Sequence, residues 1–472
     1  MQESPVRKII PIVPEEEVSL YEAQKKLYPR SVTGLFARWR WGFVFLTQLV
    51  FYGLPWLEWG QRQAVLFDLG ARRFYLFGVV LYPQDFIYLT GLLVISALSL
   101  FLFTAVAGRL WCGFTCPQTV YTEIFLWIER KVEGDRSARM RLDAGPASAR
   151  KLLKKGTKHF LWIALSLWTG FTFVGYFTPI QTLWAEAFTL SFGPWEWFWV
   201  NFYAIATYGN AGFMREQVCK YMCPYARFQS AMFDRDTLIV SYDAARGEPR
   251  GARSRKADLS TLALGACVDC TLCVQVCPTG IDIREGLQYE CIGCAACIDV
   301  CDTVMDKMNY PRGLIRFSTQ NAMAGQWSNS QLWRRVRRPR VLVYSAILLA
   351  LCVGIMWSLL ERTPLKVNVV RDRAALSRIV AGGKLENVYR LQIMNATEQP
   401  QRYRITASGL EGLALASEAE FDIGPAESRW VPVRLQIGYG SAAPGSHAIE
   451  FNVGDIAGES RVNEKSIFLV PR

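Results

Sequence analysis

The sequence predicts a multi-domain membrane protein: an α-helical bundle of five transmembrane spans, a small cysteine-organised α+β domain, and a C-terminal all-β immunoglobulin-like sandwich. Three observations predict it. The chain holds five long apolar stretches, thirteen cysteines of which twelve fall into four spaced groups, and short alternating segments beyond residue 362. Its 472 residues suffice for two or three domains. The 16 Trp and 27 Phe beside many charged residues fit spans joined to soluble parts.

The apolar stretches run Trp41–Leu57, Phe86–Ala107, Phe160–Phe177, Trp195–Phe213 and Val341–Leu360, each near the ~20 residues that cross a hydrocarbon core. The first is short and interrupted by Gln48 and Pro55. The polar opening, with Glu15–Glu17 and Lys25, Lys26, Arg38 and Arg40, points to an uncleaved cytoplasmic N-terminus. The formal net charge of +12 does not indicate nucleic acid, because the basic residues cluster between spans. Segment Arg109–Lys158 has eleven Lys/Arg against five Asp/Glu and is expected inside. Loop Thr178–Pro194 has Glu186 and no Lys or Arg, so it is expected outside. The run Arg334, Arg335, Arg337, Arg338 and Arg340 sends the fifth span outward. Loop Gly60–Pro83, with Arg62, Arg72 and Arg73, is a mild exception.

The predicted division is 1–37 cytoplasmic segment, 38–240 four-span domain, 241–338 cysteine domain, 339–361 fifth span and 362–472 sandwich. In the last, Val388–Ile393, Val431–Ile437 and Ile449–Val453 alternate apolar and polar residues, with turns at Gly424-Pro425 and Pro444-Gly445. It has no cysteine and no catalytic constellation, so docking is its expected role.

The cysteines carry the chemistry. Cys267, Cys270, Cys273 and Cys277 form C-x-x-C-x-x-C-x-x-x-C before Pro278, and Cys291, Cys294, Cys297 and Cys301 repeat the spacing. This is the bacterial two-cluster ferredoxin pattern, in which the fourth cysteine of each run ligates the other [4Fe–4S] cluster. One cluster is then expected on Cys267, Cys270, Cys273 and Cys301, the other on Cys291, Cys294, Cys297 and Cys277. Structural zinc prefers paired C-x-x-C units, and disulfides do not suit a cytoplasmic segment. Asp302, where proline would be usual, departs from the pattern.

Two further motifs, Cys112-Gly-Phe-Thr-Cys116-Pro117 and Cys219-Lys-Tyr-Met-Cys223-Pro224, follow the second and fourth spans. Helical segments Gln118–Val132 and Tyr225–Phe233 come next, so the membrane part reads as a duplication about an axis along the membrane normal. Proline suits a first helical turn, which places Cys116 and Cys223 at N-caps, where the helix dipole favours thiolate. Such thiolates, with Met214 and Met222 nearby, suit Cu(I). Buried small hydrophobes are the bland alternative. Cys352 is expected to be simple packing.

Absences narrow the cofactors. His159 and His447 are the only two histidines, and the topology puts them on opposite sides, which excludes a bis-histidine haem. There is no C-x-x-C-H, P-loop or dinucleotide fingerprint. Electrons are therefore expected from another protein or a quinone. Glu196, Asn201 and Asn210 are polar candidates in the fourth span, with interhelical hydrogen bonding as their plainer role.

Together these motifs, with Gly60-Gln-Arg-Gln-Ala-Val-Leu-Phe-Asp and Arg72-Arg-Phe-Tyr-Leu-Phe-Gly, resemble the CcoG family, also called FixG or RdxA, over nearly the whole chain. The resemblance implies an accessory protein for assembly of the cbb-type haem–copper oxidase that reduces Cu(II) to Cu(I). It implies that Cys112, Cys116, Cys219 and Cys223 handle copper while the ferredoxin cysteines supply electrons. Implied partners are membrane lipid, an electron donor, a copper transporter or chaperone, oxidase assembly factors and a second copy in a homodimer; nucleic acid is not among them. The implied location is the bacterial inner membrane, with the sandwich periplasmic. Two alternatives stay open: a NapH/NosR-like quinol-linked electron-transfer protein, and a copper-binding scaffold without turnover.

Overall fold

The computed structural model describes residues 26–255, 263–325, 337–372, 377–458 and 460–471. The acidic run Glu15–Glu17, Lys25, Arg334 and Arg335 lie outside the described residues. Eight helices carry the argument: α1 (Leu35–Gly53), α2 (Phe86–Ala107), α3 (Pro117–Glu133), α4 (Ala149–Val174), α5 (Pro194–Thr207), α6 (Pro224–Ala231), α7 (Ala296–Met308) and α8 (Pro339–Leu360).

The expected spans all fall on helices, but the extents correct the five-span reading. Among the described residues, two helices, Pro83–Ala107 and Pro339–Leu360, are long and apolar enough to cross a membrane. The reasons are local. α1 starts at Leu35 and ends at Gly53, because Pro55 cannot continue it and Arg38 and Arg40 occupy its first turns. α4 starts at Ala149, where the Ser148 hydroxyl accepts from Lys151 N at 3.2 Å, so its opening turns are basic. α5 has 14 residues and passes into π-helical turns at Tyr208–Met214 and Val218–Met222.

α2 and α8 pair antiparallel. Tyr88 Oη lies 2.9 Å from Ser358 Oγ at one end, and Arg338, the N-cap of α8, donates to Ala105 O of α2 at the other. Gly91 permits the approach, since a Cβ there would lie 2.4 Å from Ile355 Cδ1. The protein buries 0% and 6% of their apolar windows, so these are not core helices and their faces demand apolar surroundings. Cys352 is exposed on α8, which corrects its assignment to packing.

The loop between α1 and α2 forms a small sheet of β1 (Val65–Asp68), β2 (Arg73–Leu76) and β3 (Val79–Leu81). The C-terminal region is a sandwich of a five-stranded and a four-stranded antiparallel sheet. Its long strands Lys384–Asn395, Ser428–Gly438 and Gly445–Asp455 contain the three alternating segments. Inward residues include Tyr389, Phe451 and Phe468, all fully buried, each contributing roughly 1.5–3 kcal/mol by burial. The Tyr389 hydroxyl finds its partner in Ile467 O at 2.9 Å.

The sandwich docks on the small sheet. Leu66, Tyr75, Val80 and Tyr82 share a cluster with Met394 and Ala426, and the Tyr82 hydroxyl donates to Asn395 O at 2.9 Å. Asp85, 3% exposed, bonds Arg362 at 2.7 Å and also Lys366. Sandwich and cysteine domain thus lie at opposite ends of the α2/α8 pair, separated by about 33 Å of helix. Removing the carboxylate strands two cations. Asp85→Ala should therefore destabilise this joint by ~3 kcal/mol, read as faster amide exchange in Val79–Asp85 and Leu365–Arg371 with Gly445–Asp455 unchanged.

Candidate iron–sulfur and thiol site

Strands β4 (Ile239–Tyr242) and β5 (Ile315–Ser318) pair antiparallel and bracket both cysteine runs. The domain thus opens slightly ahead of the expected boundary at 241. The two runs share a backbone signature: Thr271 after Cys270 and Ala295 after Cys294 both sit in the left-handed region, at φ 54° and 58°. Each turn bends the chain around a cavity.

One cavity is lined by Cys267, Cys270, Cys273 and Cys301. The other is lined by Cys277, Cys291, Cys294 and Cys297, with Cys273 shared between the two. Each therefore draws cysteines from both runs. Apolar side chains such as Leu314, Ile281 and Ile292 complete the walls. All thirteen cysteines are free of disulfides. Among the described residues no three donors are close enough to hold a single metal ion. A four-iron cube, with one thiolate per iron, holds its donors further apart. Four thiols in an apolar enclosure fit such a cluster. Asp302 also finds its reason: α7 continues through Cys301 to Met308, proline would break it, and Asp302 Oδ1 accepts from Gly313 N at 3.0 Å.

The thiols of the two C-x-x-x-C-P motifs converge beside the second cavity. Cys116 and Cys223 are the N-caps of α3 and α6, each followed by proline. Cys112 lies in a short α-helix, Leu110–Phe114, whereas Cys219 lies in a π-helical turn, so the duplication is imperfect. The four thiols are within electrostatic reach of one another, and Cys112, Cys219 and Cys223 also of Arg109. Cys112 and Cys219 pack against the group containing Cys294. Gly113 is pressed onto that loop: a Cβ there would lie 2.8 Å from Cys294 Cα and N.

The thiolate expectation needs correction. Burial pushes Cys112 up to about 12, with repulsion from Cys116 adding to it and Arg109 opposing. Cys219 is pushed up to about 12 for the same reason. At Cys116 burial again wins, although the N–H groups of Gln118 and Thr119 pull the other way. Cys112, Cys116 and Cys219 are therefore held protonated, and a bound soft cation must displace those protons.

Several residues of the site escape the motifs. Arg109, 3% exposed, bonds Ala226 O and Ser230 Oγ and faces Cys112, Cys219, Cys223 and Cys291. Gln229, 1% exposed, accepts from Cys112 Sγ at 3.1 Å and donates to Thr104 Oγ1 at 3.2 Å. Arg40 donates to Cys294 O at 3.1 Å. Beneath them Glu129 bonds Arg215 and Arg139, each at 2.8 Å, with Lys158 at 3.6 Å. A lone Arg three residues before Cys112 was the one readable signal.

The polar residues of α5 and its extension have plainer roles. Asn201 donates to Trp197 O at 2.8 Å within its helix, and Glu196 accepts from Thr178 at 3.2 Å. Asn210 O accepts from Gln118 Nε2 at 3.0 Å. His159 bonds Tyr208, and His447 lies in the sandwich.

Comparison with known proteins adds three matching domain families. Residues 214–320 match the 4Fe-4S dicluster domain, residues 89–133 a 4Fe-4S binding domain, and residues 355–471 the IG-like fold at the C-terminal of FixG. The chain is 40% identical over 422 residues to nitrogen fixation protein FixG of Rhizobium meliloti, covering 83% of this chain and 80% of that protein. It is 38% identical to protein RdxA of Cereibacter sphaeroides, covering 89% and 90%, and 38% identical to protein RdxB of the same organism, covering 95% and 97%. A FixG-related protein structure from Vibrio parahaemolyticus is 26% identical with a TM-score of 0.22, covering 23% of this chain and 97% of that one. A chain with ferredoxin-type cysteine cavities, iron–sulfur binding domains and relatives matched across most of its length belongs to the FixG/RdxA family of iron–sulfur electron-transfer proteins.

Proposed function

We propose that this chain reduces Cu(II) to Cu(I) at a four-thiol site on the cytoplasmic face of the membrane, in support of cbb-type haem–copper oxidase assembly. The contact of Gly113 with Cys294 carries the proposal, because it sets the Cys112 motif against a ferredoxin-type cavity, with Cys219 packed on the same group. Cys267, Cys270, Cys273 and Cys301 hold one [4Fe–4S] cluster; Cys291, Cys294, Cys297 and Cys277 hold the other. Bound clusters supply one-electron transfer.

The chain's own residues prepare the copper site. Cys112, Cys116, Cys219 and Cys223 offer thiolates that stabilise the reduced metal. Arg109 offsets the negative charge left when their protons depart, and Gln229 orients the Cys112 sulfur.

The topology follows: N-terminus and ferredoxin domain cytoplasmic, five spans, and the sandwich periplasmic in a bacterial inner membrane. Phe45 and Leu49 on α1, Phe160 on α4, and Phe198 and Ile205 on α5 are exposed, which supports lipid contact for the three shorter spans. A copper transporter or chaperone and oxidase assembly factors are the partners of this reading, and the sandwich is the docking surface for the periplasmic ones.

One observation favours a second reading. The 4Fe-4S binding domain matched at 89–133 contains Cys112 and Cys116 as its cysteines. Two thiols cannot complete a cubane, but Cys219 and Cys223 converge on them. In that reading the four thiols hold a third cluster. Iron analysis of anaerobically purified protein separates the two: about eight irons per chain for the copper site, about twelve for a third cluster.

With chemically reduced protein, Cys116→Ser or Cys223→Ser should lower Cu(II) reduction at least ~100-fold, a loss of roughly 2.7 kcal/mol of transition-state stabilisation, with both ferredoxin cluster signals intact. Full turnover by a variant lacking all four thiols would sink the copper assignment. Gly113→Ala should push the thiol motif off the Cys294 loop, costing ~1–3 kcal/mol and raising the maleimide reactivity of Cys112. Reporter fusions after Arg250 and after Gly438 should report opposite compartments; the same compartment for both overturns the sidedness.

A further inference from the structure

We infer that the cavity between α4 and the π-helical turn Tyr208–Met214 docks a lipid-soluble hydroquinone, the electron donor of this chain. The inference rests on the electron-transfer reading and not on copper as the acceptor. The cavity has a volume of about 400 Å³, within the ~300–1,000 Å³ of small-molecule sites.

Its walls differ in kind. One is aromatic: His159 stacks on Phe213 with centroids 6.1 Å apart at 18°, and Trp162 meets Phe213 edge-on at 6.3 Å. Gly212 packs on the buried Trp162 ring, where a Cβ would lie 3.2 Å away. The aromatic face offered to a flat ring is therefore that of half-buried His159 and exposed Phe213. The other wall is ionic but already balanced. Lys155 and Lys158 bond Glu133 at 3.0 and 3.1 Å, and Arg215 bonds Glu129 at 2.8 Å. Because the cations are paired internally, a charged ligand gains little and a neutral polar ring is favoured. Phe213 is 59% exposed, and Phe160 and Ile205, each 70% exposed, flank the site along the chain. These apolar surfaces lead from the cavity toward the lipid.

The chemistry of a hydroquinone needs a proton acceptor and a nearby electron acceptor. His159 Nδ1 lies 2.9 Å from Tyr208 Oη. With Nδ1–H donating to that oxygen, Nε2 is free to take a proton. Burial, with Lys158 and Lys155 close by, holds this imidazole below its usual value and so neutral. The cavity wall 212–217 runs directly into the turn Val218–Met222 that bears Cys219. Two O–H bonds break and the ring becomes a quinone. One proton goes to His159 and one to water at the cytoplasmic mouth. Clusters held by the ferredoxin cysteines would supply the one-electron acceptors for the two electrons. A larger aromatic cavity lined by Trp195, Trp199 and Tyr203 lies at the far end of α4 and α5, with no cysteine on its wall.

The test uses full-length, cluster-loaded protein in lipid nanodiscs with decyl-benzoquinone and a photoreactive azido-benzoquinone. The label should map to Gly212–Gln217 or His159–Trp162 and be competed off by decyl-benzoquinone. Phe213→Ala should weaken binding about tenfold at unchanged iron content. His159→Gln should bind as wild type yet accept electrons from decyl-benzoquinol ~100-fold more slowly, with dithionite reduction unchanged. Labelling elsewhere, no saturable binding, or wild-type behaviour of both variants overturns the proposal. Failure of dithionite-reduced wild type to reduce Cu(II) would strike the copper reading and leave the hydroquinone site standing.

Discussion

The arrangement of this molecule hinges on the Glu129 carboxylate. It is 2% exposed, sits on the same helix that Cys116 caps, and bonds Arg215, four residues ahead of Cys219. One side chain therefore ties the first thiol motif to the second. Arg215 is held at φ 38° with its Nε on Gly212 O at 2.9 Å, a backbone that non-glycine residues adopt at a cost. Arg139 and Lys158 neutralise what remains. Burial alone would raise the Glu129 pKa, but Arg215 and its companions outweigh that and lower it. A depressed carboxylate stabilises the fold above its unfolded pKa, and that contribution fades as pH falls through the folded value. Buried ion networks seldom add much net stability, yet they select one arrangement over others. Here the arrangement selected is the convergence of the four thiols.

The sequence was most legible where chemistry forces spacing. The C-x-x-C-x-x-C-x-x-x-C runs name their own partners, and the two cavities gather the cysteines in those sets. The alternating segments of the sandwich were equally plain, because a period of two has one structural meaning. Span ends were less legible. Apolar content does not reveal that Pro55 ends α1 early, or that the backbone loosens into π-turns after Thr207. Gln229 and Glu129 were invisible for another reason: each acts through partners distant in sequence, and no local pattern marks them.

The thiol motifs show how two sound arguments can point in opposite directions. Helix N-termini do favour thiolate, and the N–H groups of Gln118 and Thr119 do act on Cys116. The same packing that positions the sulfurs also removes water from them, and desolvation prevails. A motif reports the first effect and is silent about the second. The neutral resting state also has a use: a protonated thiol in a closed site is a poor nucleophile, so the motif stays inert toward stray disulfides.

Because each cavity takes cysteines from both runs, neither set of four is complete until the chain extends into the second run: the set with Cys277 is complete at Cys297, the set with Cys267 at Cys301. The strand pair Ile239–Tyr242 and Ile315–Ser318, which brackets both runs, can form only after both sets are present. A chain cut between Cys291 and Cys297 therefore holds neither set, and one cut between Cys297 and Cys301 holds the second alone.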